Sequence, residues 1–124
     1  MTREVHRPIE LTLSYVMGRD DLAQGVFESR PLDPAYTGEL TISVYTESRE
    51  RDDLPADRDS RLQVQFGGSA RALEAFGTYL VALALLQTPD PEPHEHFEDV
   101  LGENGESVHL IVRRVRSDPD SGSA

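Results

Sequence analysis

The sequence predicts an α+β fold of two layers, in which one long helix packs on one face of a four- or five-stranded, mainly antiparallel sheet. One segment, residues 69–87, is long and apolar enough to form that helix, and other segments alternate apolar and polar residues as strands do. The 124 residues are enough for one domain, which we place at residues 1–116. Residues 117–124 have the composition of a disordered tail.

The segment SARALEAFGTYLVALALLQ has the periodicity of an amphipathic helix. Ser69 is placed to cap its N-terminus, because a serine hydroxyl accepts a hydrogen bond from an otherwise unpaired amide. Gly77 lies at the edge of the apolar stripe, where we expect it to allow a close approach to the sheet. The stripe comprises Leu73, Phe76, Tyr79, Leu80, Leu83 and Leu86. Val81 and Leu85 point away from it, so either another segment of the chain or a partner must cover them.

Alternation predicts strands at residues 9–17, 39–47 and 62–66, of which the last two pair antiparallel. Residues 94–115 predict a hairpin, because the Asn-Gly dipeptide at 104–105 is the preferred centre of a tight turn. That turn sets the register, with these facing pairs: Phe97 and Val112, Asp99 and Leu110, Leu101 and Val108. In this register Asp99 faces the core and needs a polar edge or a partner.

The formal net charge is −11, and all twelve basic residues are arginines, a usage compatible with a high-GC bacterial genome. An anionic surface repels phosphate backbones and attracts cationic proteins, so nucleic-acid binding is disfavoured and a basic protein partner is favoured. The absence of cysteine excludes disulfides, thiolate nucleophiles and cysteine-ligated metals. No segment has the length of a membrane span or the pattern of a signal peptide, so we expect a cytoplasmic protein without a membrane partner.

Two acid-rich segments, residues 18–38 and 48–60, are predicted to be connections. Long connections in a small domain are often functional, so we expect these segments and the exposed side of the helix to contact a partner. The expected partner-binding residues are Asp20, Asp21, Glu28, Asp33, Asp52, Asp53, Val81 and Leu85. The alternative, that the charge of these loops serves only solubility, remains open.

Three of the four histidines lie in the predicted hairpin. His94, His96 and Glu98 share one face of a strand, because successive side chains alternate. The register adds His109 to that face, and imidazoles with a carboxylate suit zinc or another divalent ion. The same register places His96 opposite Arg113 and about 13 Å from His109, so a three-histidine site needs a bulge or a second chain. Exposed strand histidines that pair with acids are the alternative.

No nucleophile elbow is present, and no serine or threonine has a recognisable base beside it in the sequence. We therefore predict no catalytic residue and, apart from the metal alternative, no cofactor. A binding protein is favoured over an enzyme.

The segments GSARALEAFGTYLVALA, HEHFED and ESVHLIVRR, between Gly68 and Arg114, resemble small proteins classed as predicted immunity proteins of bacterial polymorphic toxin systems. Those proteins are encoded beside a toxin and neutralise it by binding, so the resemblance implies a non-enzymatic protein with a cognate toxin as partner. A surplus of acids suits a cationic toxin, because opposite charge speeds the encounter. Two alternatives stand beside it. One is a metal-binding protein or metal-dependent enzyme that uses the hairpin histidines, and the other is a homodimer joined through the open sheet face or through Val81 and Leu85.

Overall fold

The structure of the chain is a computed structural model, and it describes residues 2–47 and 61–116. Its helix α1 spans Ala70–Leu85 and packs on a four-stranded sheet, which confirms the predicted α+β fold. The strands are β1 (Tyr15–Val16), β2 (Arg30–Pro31), β3 (Leu40–Glu47), β4 (Arg61–Gly68), β5 (His94–Leu101) and β6 (Ser107–Arg113). The predicted tail at 117–124 and the segment 48–60 lie outside the described residues.

The four-stranded sheet has the order β4-β3-β5-β6, and a separate two-stranded ribbon joins β1 to β2. The predicted antiparallel pairing of β3 with β4 is confirmed, and β5 and β6 are also antiparallel. β3 and β5 run parallel and meet at Thr41 and Leu101, because α1 and the connector 86–93 carry the chain across β3 before β5 begins. Strand order and the parallel pair were not predictable from local pattern, because both depend on which segments meet.

An aromatic cluster holds α1 against the sheet. The ring of Phe97 on β5 meets the helix residues Tyr79 and Phe76, with centroids 5.3 and 6.2 Å away in edge-on geometry. Leu40 and Val100 complete the core from the sheet and are fully buried. Aromatic pairs of this kind add about 0.5–1.5 kcal/mol each beyond the burial of their area, so the cluster fixes the position of the helix.

The buried stripe of α1 differs in part from the predicted one. Leu73 and Leu80 are each 42% exposed, whereas Ala72 and Ala82 are buried. Ala72 belongs to the core cluster, where its small side chain allows the helix axis to approach the sheet, whereas Ala82 lines the cleft near Tyr15. Gly77 does not perform that role, because a Cβ at this position would meet nothing within 4 Å.

Both ends of α1 are capped by side chains. At the N-terminus the Ser69 hydroxyl accepts from the Ala72 amide at 3.2 Å, which confirms the predicted cap. The same hydroxyl donates to Glu39, whose carboxylate also binds the Arg71 guanidinium. Arg71, with the Ser69 hydroxyl, lowers the pKa of Glu39 to about 2. Glu39 is therefore anionic at the positive end of the helix dipole.

The predicted strand at residues 9–17 is mostly wrong. Only Tyr15 and Val16 pair, with Pro31 and Arg30 of β2, and Ile9 is 76% exposed. The Tyr15 hydroxyl donates to the Ala82 carbonyl at 3.0 Å, which fastens this segment to α1 instead of to the sheet. An alternating pattern of apolar and polar residues shows that a segment can form a strand, but it does not show that another strand lies beside it.

The predicted hairpin register is also wrong. Val100 faces Val108, one residue away from the predicted pairing, and a bulge between Phe97 and Val100 adds a second shift, so that Phe97 faces Leu110. The connection spans residues 102–106, with Gly105 at φ 80°, instead of two residues. Asp99 lies outside the core and accepts a hydrogen bond from the Thr37 hydroxyl, a contact between distant segments that supports the bulge.

Within residues 2–47 and 61–116, no helix has both the length and the apolar character needed to cross a membrane.

We expect Arg114→Ala to lower the free energy of unfolding by about 1–2 kcal/mol, as measured by urea denaturation. The Arg114 guanidinium donates to the carbonyls of Leu83 and Leu86, both at 2.9 Å, and so caps the negative end of α1. Arg113→Ala is the matched control, because its side chain is 60% exposed and lies 4.0 Å from Glu92. The control should change stability by less than about 0.5 kcal/mol. Equal losses in the two variants would contradict the capping role.

Candidate functional site

Three of the predicted partner-binding acids organise the loop that carries them. An Asp20 carboxylate oxygen accepts from the amides of Glu28 and Ser29 at 2.8 and 3.1 Å. Asp21 accepts from the Ala23 amide at 3.0 Å, and Glu28 accepts from the Arg19 amide at 2.9 Å. These contacts stabilise the turns between residues 18 and 29. Their structural role does not prevent contact with a partner, and their role in binding stays a prediction.

The other predicted partner-binding residues are dispersed. Asp33 accepts from the Arg30 guanidinium at 2.9 Å and lines a cleft beside α1. Val81 and Leu85 are 37% and 61% exposed on the helix. Asp52 and Asp53 lie outside the described residues. Of the predicted set that the structure describes, only Asp33 reaches this cleft.

The cleft has a volume of about 480 Å³ and lies between α1 and the segments around residues 12–14 and 32–36. One wall is fixed by the Arg71 guanidinium, which lies 4.3 Å from the centroid of the Tyr36 ring and is paired with Glu39. The volume of the cleft is typical of ligand-binding pockets. The full lining comprises Thr12, Ser14, Leu32, Asp33, Pro34, Ala35, Tyr36, Arg71, Glu74, Ala75, Thr78, Tyr79 and Ala82.

One residue that lines the cleft, Tyr79, carries a buried polar atom without a hydrogen-bond partner in the described part of the chain. Tyr79 is only 3% exposed, and its hydroxyl has no hydrogen-bond partner among the described residues. Burial, followed by the negative charges of Glu95 and Asp33, raises the pKa of Tyr79 above its ordinary value. A buried hydroxyl without a partner costs about 1–3 kcal/mol, so it is a position where a bound group gains a hydrogen bond at little cost.

Glu95 lies beside Tyr79, and the sequence analysis did not single it out. Its side chain is 11% exposed, and one carboxyl oxygen lies 3.8 Å from the Arg30 guanidinium. The other oxygen is buried and has no hydrogen-bond partner within the described ranges. Burial, together with a hydrogen bond to Asp33 and the charge of Asp33, raises the pKa of Glu95 to about 7. A signal for this residue was present, since alternation places Glu95 in phase with the core residue Phe97.

The two arginines near the cleft already have acidic partners, Arg71 with Glu39 and Arg30 with Asp33. The Glu74 carboxylate lines the cleft as a further acceptor. The Tyr79 hydroxyl and one oxygen of Glu95 are buried behind the lining and have no hydrogen-bond partner among the described residues. A guanidinium or ammonium group carries several N–H donors and a positive charge, which this arrangement suits.

The hairpin histidines are closer together than the predicted register allowed. His96 Nδ1 lies 2.8 Å from His109 Nε2, and the rings of His94 and His96 are 5.3 Å apart. The longer connection and the bulge each shift the register by one residue, so that His96 faces Ile111 and has His109 as its diagonal neighbour. The predicted separation of about 13 Å is therefore wrong. Arg113 faces His94 and not His96.

The histidine pair and Glu98 do not form a site with three ligands. In the described ranges, no group of three or more His, Cys, Asp or Glu side chains is arranged to hold a metal ion. Glu98 takes part in the ladder through its carbonyl, which accepts from the Ser107 hydroxyl at 2.5 Å. The metal assignment of His94, His96, Glu98 and His109 therefore stays a prediction, with His96 and His109 as its geometric centre.

We expect the stability of the wild type to fall relative to that of Glu95→Gln as pH rises. The folded-state pKa of Glu95, about 7, exceeds its ordinary value of 4.5, so the folded chain binds more protons in this interval. The contribution of the neutral carboxyl is complete below pH 4.5 and is lost as pH rises through about 7. The difference in the free energy of unfolding between the wild type and Glu95→Gln, measured by urea denaturation, should change on the order of 2–3 kcal/mol between about pH 4.5 and 8.

Glu98→Gln, which removes the same charge from the exposed face of β5, is the matched control for this experiment. A wild-type protein whose stability parallels that of Glu95→Gln at every pH would contradict the buried carboxyl cluster.

Comparisons with protein-family models, with curated proteins and with solved structures found no match for this chain. Its function must therefore be inferred from its own residues and their geometry.

Proposed function

We propose that this chain is a non-enzymatic module that binds a basic protein, with a toxin neutralised by direct binding as the partner class that the resemblance suggests. The observation that carries the proposal is the cleft beside α1, which is lined by Asp33, Glu74 and Tyr79, and where the buried Tyr79 hydroxyl has no hydrogen-bond partner among residues 2–47 and 61–116. A partner arginine or lysine side chain supplies the missing donor and the complementary charge.

The charge of the whole chain supports the same partner. A net charge of −11 attracts a cationic protein over a distance of several ångströms and raises the rate of association. This attraction is screened by salt, since the Debye length is about 8 Å at physiological ionic strength. The cleft adds a specific contact to that general attraction, because its acceptors lie in a partly desolvated position.

The dimensions of the cleft suit one inserted side chain. A basic side chain that enters between α1 and residues 32–36 meets the Glu74 carboxylate at the lining. The Tyr36 ring, with the Arg71 guanidinium 4.3 Å from its centroid, forms one wall. The Tyr79 hydroxyl is buried behind the lining, so contact with it requires a small displacement of the lining residues.

We expect the chain to capture a basic protein encoded by a neighbouring gene in a co-expression pulldown. In calorimetry on that complex, Glu74→Gln and Tyr79→Phe should each weaken binding about tenfold, because each removes one acceptor from the inserted cation. Tyr79→Phe should keep or slightly raise stability, since the hydroxyl that it removes has no partner in the free chain.

Glu98→Gln is the matched control, because it removes an equal charge from the outer face of β5 and should change affinity by less than about threefold. Failure to bind the product of any neighbouring gene would overturn the proposal. Equal losses in Glu74→Gln and Glu98→Gln would restrict the interaction to general electrostatics and overturn the role of the cleft.

A second function is divalent-metal binding, and the specific observation that favours it is the 2.8 Å contact between His96 and His109. The two ring nitrogens are within hydrogen-bond distance, and an opening of the pair to about 3.3 Å would give the separation of two ligands on a tetrahedral ion with bonds of about 2.0–2.1 Å. His94, whose ring lies 5.3 Å from that of His96, is the nearest further imidazole. The pair leaves the remaining ligand positions to water or to a partner.

We expect protein purified without a His-tag to contain bound metal by elemental analysis if this second function holds. His96→Ala should then remove the metal, because it leaves His109 without its neighbour. His6→Ala is the matched control, since its side chain is 86% exposed in the N-terminal segment. Metal-free protein, or metal content unchanged by His96→Ala, would exclude this function.

A further inference from the structure

One wall of the cleft contains an aromatic ring that already receives a cation. The guanidinium carbon of Arg71 lies 4.3 Å from the centroid of the Tyr36 ring, a distance at which the face of a ring attracts a positive charge. Tyr36 nevertheless remains 47% exposed and lines the cleft. A ring has two faces, so the part of Tyr36 that Arg71 does not cover is available to a group that enters the cleft.

The backbone holds this ring in place. Tyr36 has φ 63°, which lies in the left-handed region that aromatic residues rarely adopt. The Glu39 amide donates to the Tyr36 carbonyl at 2.9 Å and closes the turn, while Arg71 packs on the side chain. An unfavourable backbone conformation of this kind persists where the surrounding contacts impose it. The position of the ring is therefore set before a partner arrives.

An unpaired carboxylate lies near the ring. Glu74 follows Arg71 by three residues on α1, and residues with that spacing are neighbours on one face of a helix. Arg71 donates to Glu39, and Glu74 forms no ion pair with any residue in the ranges 2–47 and 61–116. Both Glu74 and Tyr36 line the cleft. One incoming cation can therefore reach the carboxylate and the ring together.

We propose that the cleft selects arginine over lysine in its partner, with the guanidinium on the open face of Tyr36 and its N–H groups donating to the Glu74 carboxylate. This inference rests on the proposed function, because it names the side chain that the basic partner inserts. It assigns the specificity to Tyr36 and the complementary charge to Glu74.

The two basic side chains differ in what they gain from the ring. A guanidinium is planar and weakly hydrated, so it stacks on an aromatic face and also forms two parallel hydrogen bonds to a carboxylate. An ammonium group is a compact and strongly hydrated point charge, which pairs with Glu74 but gains less from Tyr36. Both side chains therefore bind through Glu74, and arginine alone gains the stacking contact.

The positive charge of Arg71 does not oppose this contact. Its guanidinium donates to both oxygens of Glu39, at distances between 2.5 and 3.1 Å. Glu39 is anionic, because the hydrogen bonds from Arg71 and Ser69 lower its pKa to about 2. The pair therefore presents little net charge to the cleft, and Glu74 adds a negative charge to the lining.

The test compares two probes of equal charge, N-acetyl-arginine amide and N-acetyl-lysine amide, in NMR titrations of the full chain. The amide signals of Ala75 and Thr78, which line the cleft, report binding at this place. We expect the arginine probe to bind about fivefold more tightly than the lysine probe. Tyr36→Leu should reduce this preference to less than about twofold and leave the affinity for the lysine probe unchanged. Glu74→Gln should weaken the binding of both probes.

Tyr45→Leu is the matched control, because it removes the same ring from the opposite face of the sheet. Tyr45 lies three residues after Ile42 on β3, and Ile42 packs against the core, so alternation directs Tyr45 away from α1. This control should keep the fivefold preference. Tyr36→Asn is a second variant that also removes the ring, and asparagine adopts the left-handed backbone more readily than leucine. It replaces Tyr36→Leu if circular dichroism shows that the leucine disturbs the fold.

Equal affinity of the wild type for the two probes would overturn the selectivity, and so would a preference that both Tyr36 variants retain. Either result would leave the cleft as a site for a cation. Binding of neither probe would instead overturn the proposed function together with this inference.

Discussion

The contact between α1 and β5 is the constraint on which the other features of this protein depend. Phe76 and Tyr79 meet Phe97 edge-on, and Leu40 and Val100 close the core beneath them. These contacts fix both the position and the rotation of the helix. The capped ends, at Ser69 and at the carbonyls bound by Arg114, keep the helix intact over the length that the core requires.

One helix cannot cover a four-stranded sheet. A helix is about 10 Å wide with its side chains, whereas four strands spaced by about 4.8 Å extend over roughly 14 Å between the outer axes. On one side of α1 the segments around residues 12–14 and 32–36 fill the gap incompletely and leave the cleft. On the other side the apolar face of β4 stays open. The cleft and the exposed apolar residues of β4 are thus two consequences of the same packing.

The polar groups below the cleft are unusual for a core of this size. An apolar residue at position 95 would avoid the cost of desolvating a carboxyl group and the cost of leaving one of its oxygens without a hydrogen bond among the described residues. Tyr79 likewise gains nothing from its hydroxyl in the free chain. Residues that lower stability in this way are expected where binding needs them, which is why the proposed function is centred here.

The sequence by itself determined the features that depend on local periodicity and local hydrogen bonding: the long helix, its Ser69 cap, and the paired strands at 39–47 and 62–66. Only the tertiary structure decided the bulge in β5, because the Thr37 contact with Asp99 joins segments 62 residues apart. The longer connection at residues 102–106 and the bulge each shift the facing partners by one residue, and together they decided the contact of His96 with His109. The prediction of a strand at residues 9–17 was mostly wrong for a related reason. An alternating pattern describes which faces a segment presents but not which other segment lies beside it.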